Sequence, residues 1–322
     1  MEPSGLNSLS TAELSSELDR LRASEHELRI LLDESSDPIF AFFADGRYRY
    51  VNHAFAQGVG KKQDEIIGRR IWDVFSQEEA DKRFAAVRWV FENGESRIIE
   101  VCVPRAEGDR FYLTTVKPIF DDQRRVVSVI CISKDITERK HMEEKLVHMA
   151  QHDALTDLPN RALFNDRLQK AITQAKRDST RLALMSIDLD RFKPINDAFG
   201  HSVGDQVLQA VARRMQESIR ESDSVGRIGG DEFVVLLPGI ENESDALGVA
   251  AKIHDSLRQP FELPDLGQVH LSSCIGIAIY PDHGVDAQQL LRRADGAMYD
   301  GKTQGRDQIQ LVQHDGGALQ PA

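Results

Sequence analysis

Hydrophobic positions change rhythm several times along the chain. Between about residues 11 and 32 they recur in alternating steps of four and three, at Leu14, Leu18, Leu21, Leu28 and Leu32, with Glu25 the one charged residue in the row. Glu17, Arg20, Arg22 and Glu27 fill the other faces. That spacing predicts an amphipathic helix able to pair with its copy in a second chain. The alternative is a helix that packs on its own domain.

After Asp33 the rhythm shortens. Apolar runs at 38–44, 48–52, 97–103, 111–119 and 126–134 predict strands, and Asp45-Gly46, Glu107-Gly108-Asp109 and Asp121-Asp122 mark turns between them. Between the second and third runs, residues 77–92 carry Phe84, Val87, Val90 and Phe91 on one helical stripe. Together these predict a small α+β domain with an antiparallel sheet over 34–136. The heptad rhythm returns at Met142, Leu146 and Met149, so 137–152 predicts a linker helix with its own seam. From 153 to 311 helices and strands alternate. Pro159 is expected to open a helix bearing Leu163, Phe164, Leu168 and Ile172. A strand at 182–189, a helix at 204–220, a hairpin of 224–228 with 233–237, a helix at 244–258, a strand at 269–279 and a helix at 286–302 follow. One sheet covered by helices is expected, with 312–322 as a tail.

Composition narrows the class. The chain has 322 residues, 41% hydrophobic and 29% charged, with a formal net charge of −12. The length suits about two domains. No apolar run is long enough to span a bilayer, and the first ten residues lack the basic start and apolar core of a secretory signal. The expectation is a cytoplasmic protein without membrane insertion. Cys102, Cys131 and Cys274 are scattered and have neither a disulfide framework nor zinc spacing. The acidic balance argues against a nucleic-acid partner, yet local cations and metals still permit a nucleotide substrate.

The candidate chemistry lies in two strings. Gly229-Gly230-Asp231-Glu232-Phe233 sits between the two runs of the hairpin, and its two glycines read as the tight turn. Asp188-Leu189-Asp190 ends the strand some forty residues upstream, followed by Lys193, Asn196, Asp197, His201, Gly204 and Asp205. Asp188 and Asp231, from separate segments, are suited to hold one or two Mg²⁺ ions, which bind through carboxylates and substrate phosphates. Lys193, Lys302 and Arg306 can neutralise phosphate charge. Asn196 and Asp205 offer the donors and acceptors a guanine edge requires. Taken singly, Asp190 and Asp197 read as solvated loop acids or helix caps. His201 alone suits packing, and Lys302 and Arg306 alone suit the C-terminal dipole of the last helix.

Two resemblances are carried by ordered strings. Asp37-Pro38-Ile39, Asp45-Gly46, the run from Tyr50 to Phe55, Ile67-Gly68-Arg69-Arg70 and the closing run from Asp135 to Lys140 resemble a PAS sensor domain. The run from Asp188 to Asp205, Arg227 to Phe233, Ala294-Asp295 through Lys302, Gly305-Arg306 and the opening run from Asp153 to Arg161 closely resemble a GGDEF diguanylate cyclase domain. The second resemblance implies a fold related to nucleotidyl cyclases and polymerase palms. It implies that two GTP condense into cyclic di-GMP with release of two pyrophosphates. It implies Asp188 and Asp231 as metal ligands, assisted by the Leu189 carbonyl, with Asp231 also accepting the ribose 3′-hydroxyl proton. Asn196, His201 and Asp205 match the guanine side, Lys193 a transition-state stabiliser, and Lys302 and Arg306 the phosphate side. Gly229, Gly230 and Glu232 belong to the motif. Because each nucleotide attacks the other, a homodimer is part of the implied mechanism. Arg220 and Asp223 form an R-x-x-D string at the offset that, in such proteins, marks an inhibitory product site.

The sensor's ligand is open: Phe40, Phe42, Phe43, Trp72 and Phe75 are candidate pocket residues, no cysteine motif suggests a flavin adduct, and His53 alone does not indicate haem. The alternative to catalysis is a module that binds GTP or cyclic di-GMP without turnover. A phosphodiesterase is not expected, because only a short tail follows Arg306.

Overall fold

The structure is a computed structural model that describes residues 11–105, 108–263 and 267–313. Residues 1–10, Glu107 of one predicted turn and the tail from 314 lie outside the described residues. Contacts divide the chain into two units, Met1–Glu144 and Lys145–Ala322.

In the first unit, α1 (Thr11–Asp33) leads into β1 (Ile39–Phe42) and β2 (Tyr48–Val51), then α2 (His53–Val59), α3 (Gln63–Ile66), α4 (Ile71–Val74) and α5 (Gln77–Asn93). The chain returns as β3 (Arg97–Val103), β4 (Arg110–Phe120) and β5 (Val126–Asp135) and enters α6 (Thr137–Gln151), inside which the division falls. The five strands form one antiparallel sheet in the order β2-β1-β5-β4-β3. Its apolar face packs on α5 through Phe42, Val116 and Val129 against Phe84, Val87 and Val90. Asn52 explains the tight β2–α2 corner. Its Oδ1 accepts from Ile39 N (2.9 Å) and, as the cap of α2, from Phe55 N (3.0 Å), while Nδ2 donates to Asp37 O (2.9 Å).

The ends of both predicted seam helices are fixed. Asp33 Oδ1, at the end of α1, accepts from His53 N (3.0 Å) and Gln63 Nε2 (2.8 Å). Asp135 Oδ1 accepts from Thr137 N (2.9 Å) at the start of α6, and Asp135 Oδ2 accepts from Arg110 (3.2 Å). Burial pushes the Asp135 carboxyl up, but the bonds from Thr137 and Arg110 outweigh it and hold the group below its ordinary range. Beyond these anchors the apolar rows are exposed: Leu18, Leu21 and Leu28 on α1, and Met142, Leu146 and Met149 on α6. Leu32 is half-buried. Packing of α1 on its own domain therefore accounts only for its last turn.

In the second unit the elements are α7 (Arg161–Asp178), β6 (Arg181–Asp190), α8 (Phe192–Phe199), α9 (His201–Ser218), β7 (Ser224–Gly229), β8 (Glu232–Ile240), α10 (Glu243–Arg258), β9 (Phe261–Leu263), β10 (Gly267–Val269), β11 (Ser272–Tyr280), α11 (Ala287–Thr303) and β12 (Ile309–Leu311). The main sheet runs β12-β11-β6-β8-β7, antiparallel except for the parallel pair β11–β12. Both of its faces are buried, so β6 reads as a continuous apolar run rather than an alternating one. Met185, Ile187 and Leu189 face a core that includes Val207, Val211 and Ile253 of α9 and α10. Leu182 and Leu184 face the core of Phe164, Leu168, Leu290 and Ala294, from α7 and α11. With side chains alternating, Asp188 and Asp190 continue this second row at the end of β6.

Several expectations shift. Pro159 does not open α7; Asn160 is the cap, its Oδ1 accepting from Ala162 N and Leu163 N. Two helices rather than one precede β7, because Gly200 (φ 85°) breaks the chain between α8 and α9. The β9–β10 hairpin and β12 carried too few residues to stand out in the sequence.

Candidate active site

The β7–β8 hairpin closes on Gly229 paired with Glu232, so the two central turn residues are Gly230 and Asp231. This moves the turn one residue from its expected place on the two glycines. Gly230 supplies the positive φ (53°) and Asp231 needs none. Arg227 fixes the turn: its guanidinium donates to Gly230 O (3.0 and 2.7 Å) and to Asp153 Oδ1 (2.8 Å). The opening string and the hairpin tip are thus one structure, and Arg227 is a positioning residue that the sequence had marked only as part of a motif.

Strand β6 delivers the second acid. Asp188 lies opposite Glu232 in the β6–β8 register, and Leu189 N donates to Asp231 O (3.3 Å). The end of β6 and the turn are therefore stitched together. Lys302, from the last turn of α11, places Nζ 2.6 Å from Asp188 Oδ2. It reaches that point because α11 lies against Gly276 of β11, where a Cβ would overlap the backbone of Ala294 and Met298. Asp188 is only 8% exposed. Burial pushes its carboxyl above the ordinary carboxylate range; the bond from Lys302 opposes the rise, and the charges of Asp231 and Glu232 add to it. Asp188, Asp231, Glu232 and Lys302 therefore share one electrostatic site.

Asp190 departs from expectation. It is not a solvated loop acid: it is 4% exposed and accepts from Ser272 Oγ (2.7 Å) and Asp307 N (2.9 Å), with Cys274 Sγ at 3.4 Å. Burial and the Asp190 carboxylate push the Cys274 thiol up to about 11. Arg306 Nε lies 3.9 Å from Asp190 Oδ1. Arg306 and Asp307 both hold positive φ (62° and 54°), an uncommon backbone for such residues. Asp307 is held further by Arg258 (3.5 Å), and His254 Nε2 lies 3.0 Å from its Oδ1 without hydrogen-bond alignment. Asp190 thus anchors the strained loop that presents Arg306.

The remaining predicted residues sit on the α8–α9 corner. Asn196 is packed over Gly204, where a Cβ would overlap its Oδ1, and that buried oxygen has no partner among the described residues. Lys193 on α8 and His201 and Asp205 on α9 are exposed; the last two are one turn apart on the same face. The corner therefore carries one buried amide oxygen without a partner and two exposed polar side chains.

Arg220 and Asp223 lie at the other end of the hairpin, away from the turn. Arg220 Nε donates to Asp223 Oδ1 (3.1 Å) and its Nη2 to Pro238 O (3.3 Å). Asp223 is 9% exposed, while the Arg220 side chain lies open on a groove with Glu241, Ser244 and Lys252.

Among the described residues no three His, Cys, Asp or Glu side chains form a ready metal cage. The donors present are carboxylates on a buried strand end and a turn. That oxygen-only set fits magnesium, which binds through one or two carboxylates and completes its shell with water and phosphate oxygens. Among the described residues no helix is long and apolar enough to cross a membrane.

Comparison with known proteins agrees with this architecture. A family model described as diguanylate cyclase, GGDEF domain, matches residues 150–308, and one described as PAS fold matches residues 32–141. A diguanylate cyclase of Vibrio cholerae serotype O1 is 32% identical over 294 residues, covering 90% of this chain and 89% of its own length. The cyclic di-GMP phosphodiesterase PdeR of Escherichia coli strain K12 is 32% identical over 87% of this chain but only 42% of its own. The crystal structure of the coiled coil and GGDEF domain of DgcB from Caulobacter crescentus, in complex with c-di-GMP, superposes with a TM-score of 0.51 at 26% identity, covering 55% of this chain and 93% of that one. The chain belongs to the GGDEF diguanylate cyclase family, with a PAS fold preceding the GGDEF domain. It spans 42% and 39% of the length of the first curated relatives it matches.

Proposed function

We propose that the protein is a cytoplasmic diguanylate cyclase, controlled by its PAS domain, that condenses two GTP into cyclic di-GMP and releases two pyrophosphates. The observation that carries this reading is the convergence of Asp188, Asp231, Glu232 and Lys302 at one strand end and turn. Two Mg²⁺ ions bound by Asp188, Asp231 and the Leu189 carbonyl would polarise the phosphates and offset the charge that develops on them. Each ribose 3′-hydroxyl attacks the α-phosphorus of the other nucleotide, the α–β bridging P–O bond breaks, and the proton passes to the Asp231 carboxylate. Lys193, Lys302 and Arg306 stabilise phosphate charge. Asn196 on the α8–α9 corner, with its buried unpartnered oxygen, and the adjacent His201 and Asp205 recognise guanine.

The reaction needs two such domains face to face. The exposed apolar rows of α1 and α6 support a homodimer, with the linker helix of 137–152 carrying the sensor's state to the 153–311 domain. Arg220 and Asp223 are assigned to a site where cyclic di-GMP inhibits. The test is incubation of the pure chain with GTP and Mg²⁺, with product measured by chromatography. Asp231→Ala should lower turnover about a thousandfold, several kcal/mol of transition-state stabilisation, with an unchanged circular dichroism spectrum. Full turnover by the variant refutes the assignment.

A further inference from the structure

The first unit carries a half-open cavity of ≈ 100 Å³ between the inner face of its sheet and the helices α2, α4 and α5. Phe40, Phe42 and Phe75 line it as expected; Phe43 is exposed and Trp72 instead packs on Phe84, with its Nε1 donating to Asp81. Most of the wall is apolar, and no Asp or Glu contributes to it among the described residues.

The polar groups in that wall are unusual. Thr114 Oγ1 and Ser133 Oγ lie 2.8 Å apart, each 5% exposed. One hydroxyl donates to the other, so the accepting hydroxyl keeps an O–H with no acceptor among the described residues. Tyr48 is 1% exposed, and burial pushes its phenol up, so its hydroxyl stays protonated and able to donate. Unsatisfied buried donors are rare and costly in folded proteins. The charged groups in the wall are Arg83 and Arg105. Arg83 commits Nε and Nη2 to Glu79 (3.2 and 2.5 Å) and lies 4.5 Å over the Phe75 ring, and Arg105 commits one nitrogen to Gly58 O (3.0 Å). Each guanidinium retains further N–H donors. The cavity thus offers donors and positive charge within an apolar envelope. Its volume is well above the roughly 10–15 Å³ that a single water needs, so it admits a small organic body.

We propose that this cavity binds a small carboxylic acid with an apolar body, its carboxylate accepting from the Thr114–Ser133 hydroxyl pair under the positive field of Arg83 and Arg105. The acid is the chemistry that satisfies the orphan donors and the cations together; an alcohol of the same skeleton satisfies only the former.

The experiment titrates the full chain with straight-chain and phenyl-substituted carboxylates of four to ten carbons, each beside its matching alcohol, by calorimetry and thermal shift. At least one acid is expected to bind ten times more tightly than its alcohol. Arg83→Gln should weaken that acid at least fivefold and leave the alcohol's affinity unchanged, whereas Ser133→Ala and Thr114→Val should each weaken the acid at least fivefold and the alcohol as well. Three separate substitutions, each checked by circular dichroism, keep the test decisive if one disturbs the fold. The proposal is overturned if no acid binds below the millimolar range, if alcohols match the acids, or if the correctly folded variants bind the acid undiminished. Binding is read directly, so a failure of the cyclase reading leaves this result intact.

Discussion

The two ends of the β7–β8 hairpin are built from the same residue types and behave oppositely. At the turn, Asp231 and Glu232 face Asp188 across the register, and like charges crowd a half-enclosed space in which Lys302 is the close cation. At the far end, ~20 Å away along about six residues of β8, Asp223 is already matched. It accepts from the Arg220 backbone N–H (3.2 Å) and guanidinium (3.1 Å). One end carries unbalanced charge that a metal and a triphosphate would complete; the other is internally balanced, with one arginine open to the groove. A hairpin can therefore place a site that costs stability at one end and a site that costs little at the other.

Breaking the turn-side balance should have the largest effect. Lys302→Ala removes the cation beside Asp188 and should lower kcat/KM for GTP about a hundredfold, the scale of a lost charge-stabilising donor, as measured by steady-state product formation. Asp190→Ala should be felt as stability: it strands the Ser272 hydroxyl and the Asp307 N–H, worth about 2–3 kcal/mol, read as a lower denaturation midpoint with a raised KM as the Arg306 loop loosens. Arg220→Ala sharpens the contrast. Turnover in the absence of product should stay close to the parent, while the inhibition curve against added cyclic di-GMP moves to higher concentration.

The smallest effect concerns pH. The Asp188 carboxyl is raised by burial, then by Asp231 and Glu232, so the native state binds this proton more tightly than the unfolded chain. Its contribution to stability is then fullest at low pH and is lost as pH rises through the unfolded and then the folded titration. In EDTA, Asp188→Asn should flatten that portion of the stability–pH curve and melt no lower than the parent at neutral pH. A steeper curve would show that Lys302 outweighs burial.

Regular elements with strong periodicity were readable from the sequence: α5, the sensor strands, β6 and α11 fall within a few residues of their expected bounds. Asp188 and Asp231 were readable as partners because motif order, rather than spacing, brings them together. Asp190 was not. An acid two residues after Asp188 looks solvated until β11 and the 306–307 loop, more than eighty residues later, close over it. The hairpin turn was misplaced by one residue because either glycine accepts positive φ, and the choice is made by the Gly229–Glu232 pairing. Arg227 gave no signal of its own, since its partners Asp153 and the Gly230 carbonyl are defined only in three dimensions. The cavity's character was hidden for a similar reason: Thr114 and Ser133 meet across neighbouring strands.

The seat of α11 on Gly276 has one further consequence. Helix backbone rests on strand backbone there, with no layer of side chains between them to compress or re-pack. Lys302 consequently inherits its place from the strands beneath it, and any distortion travelling along β11 carries the ammonium and the Asp188 carboxylate as one rigid piece.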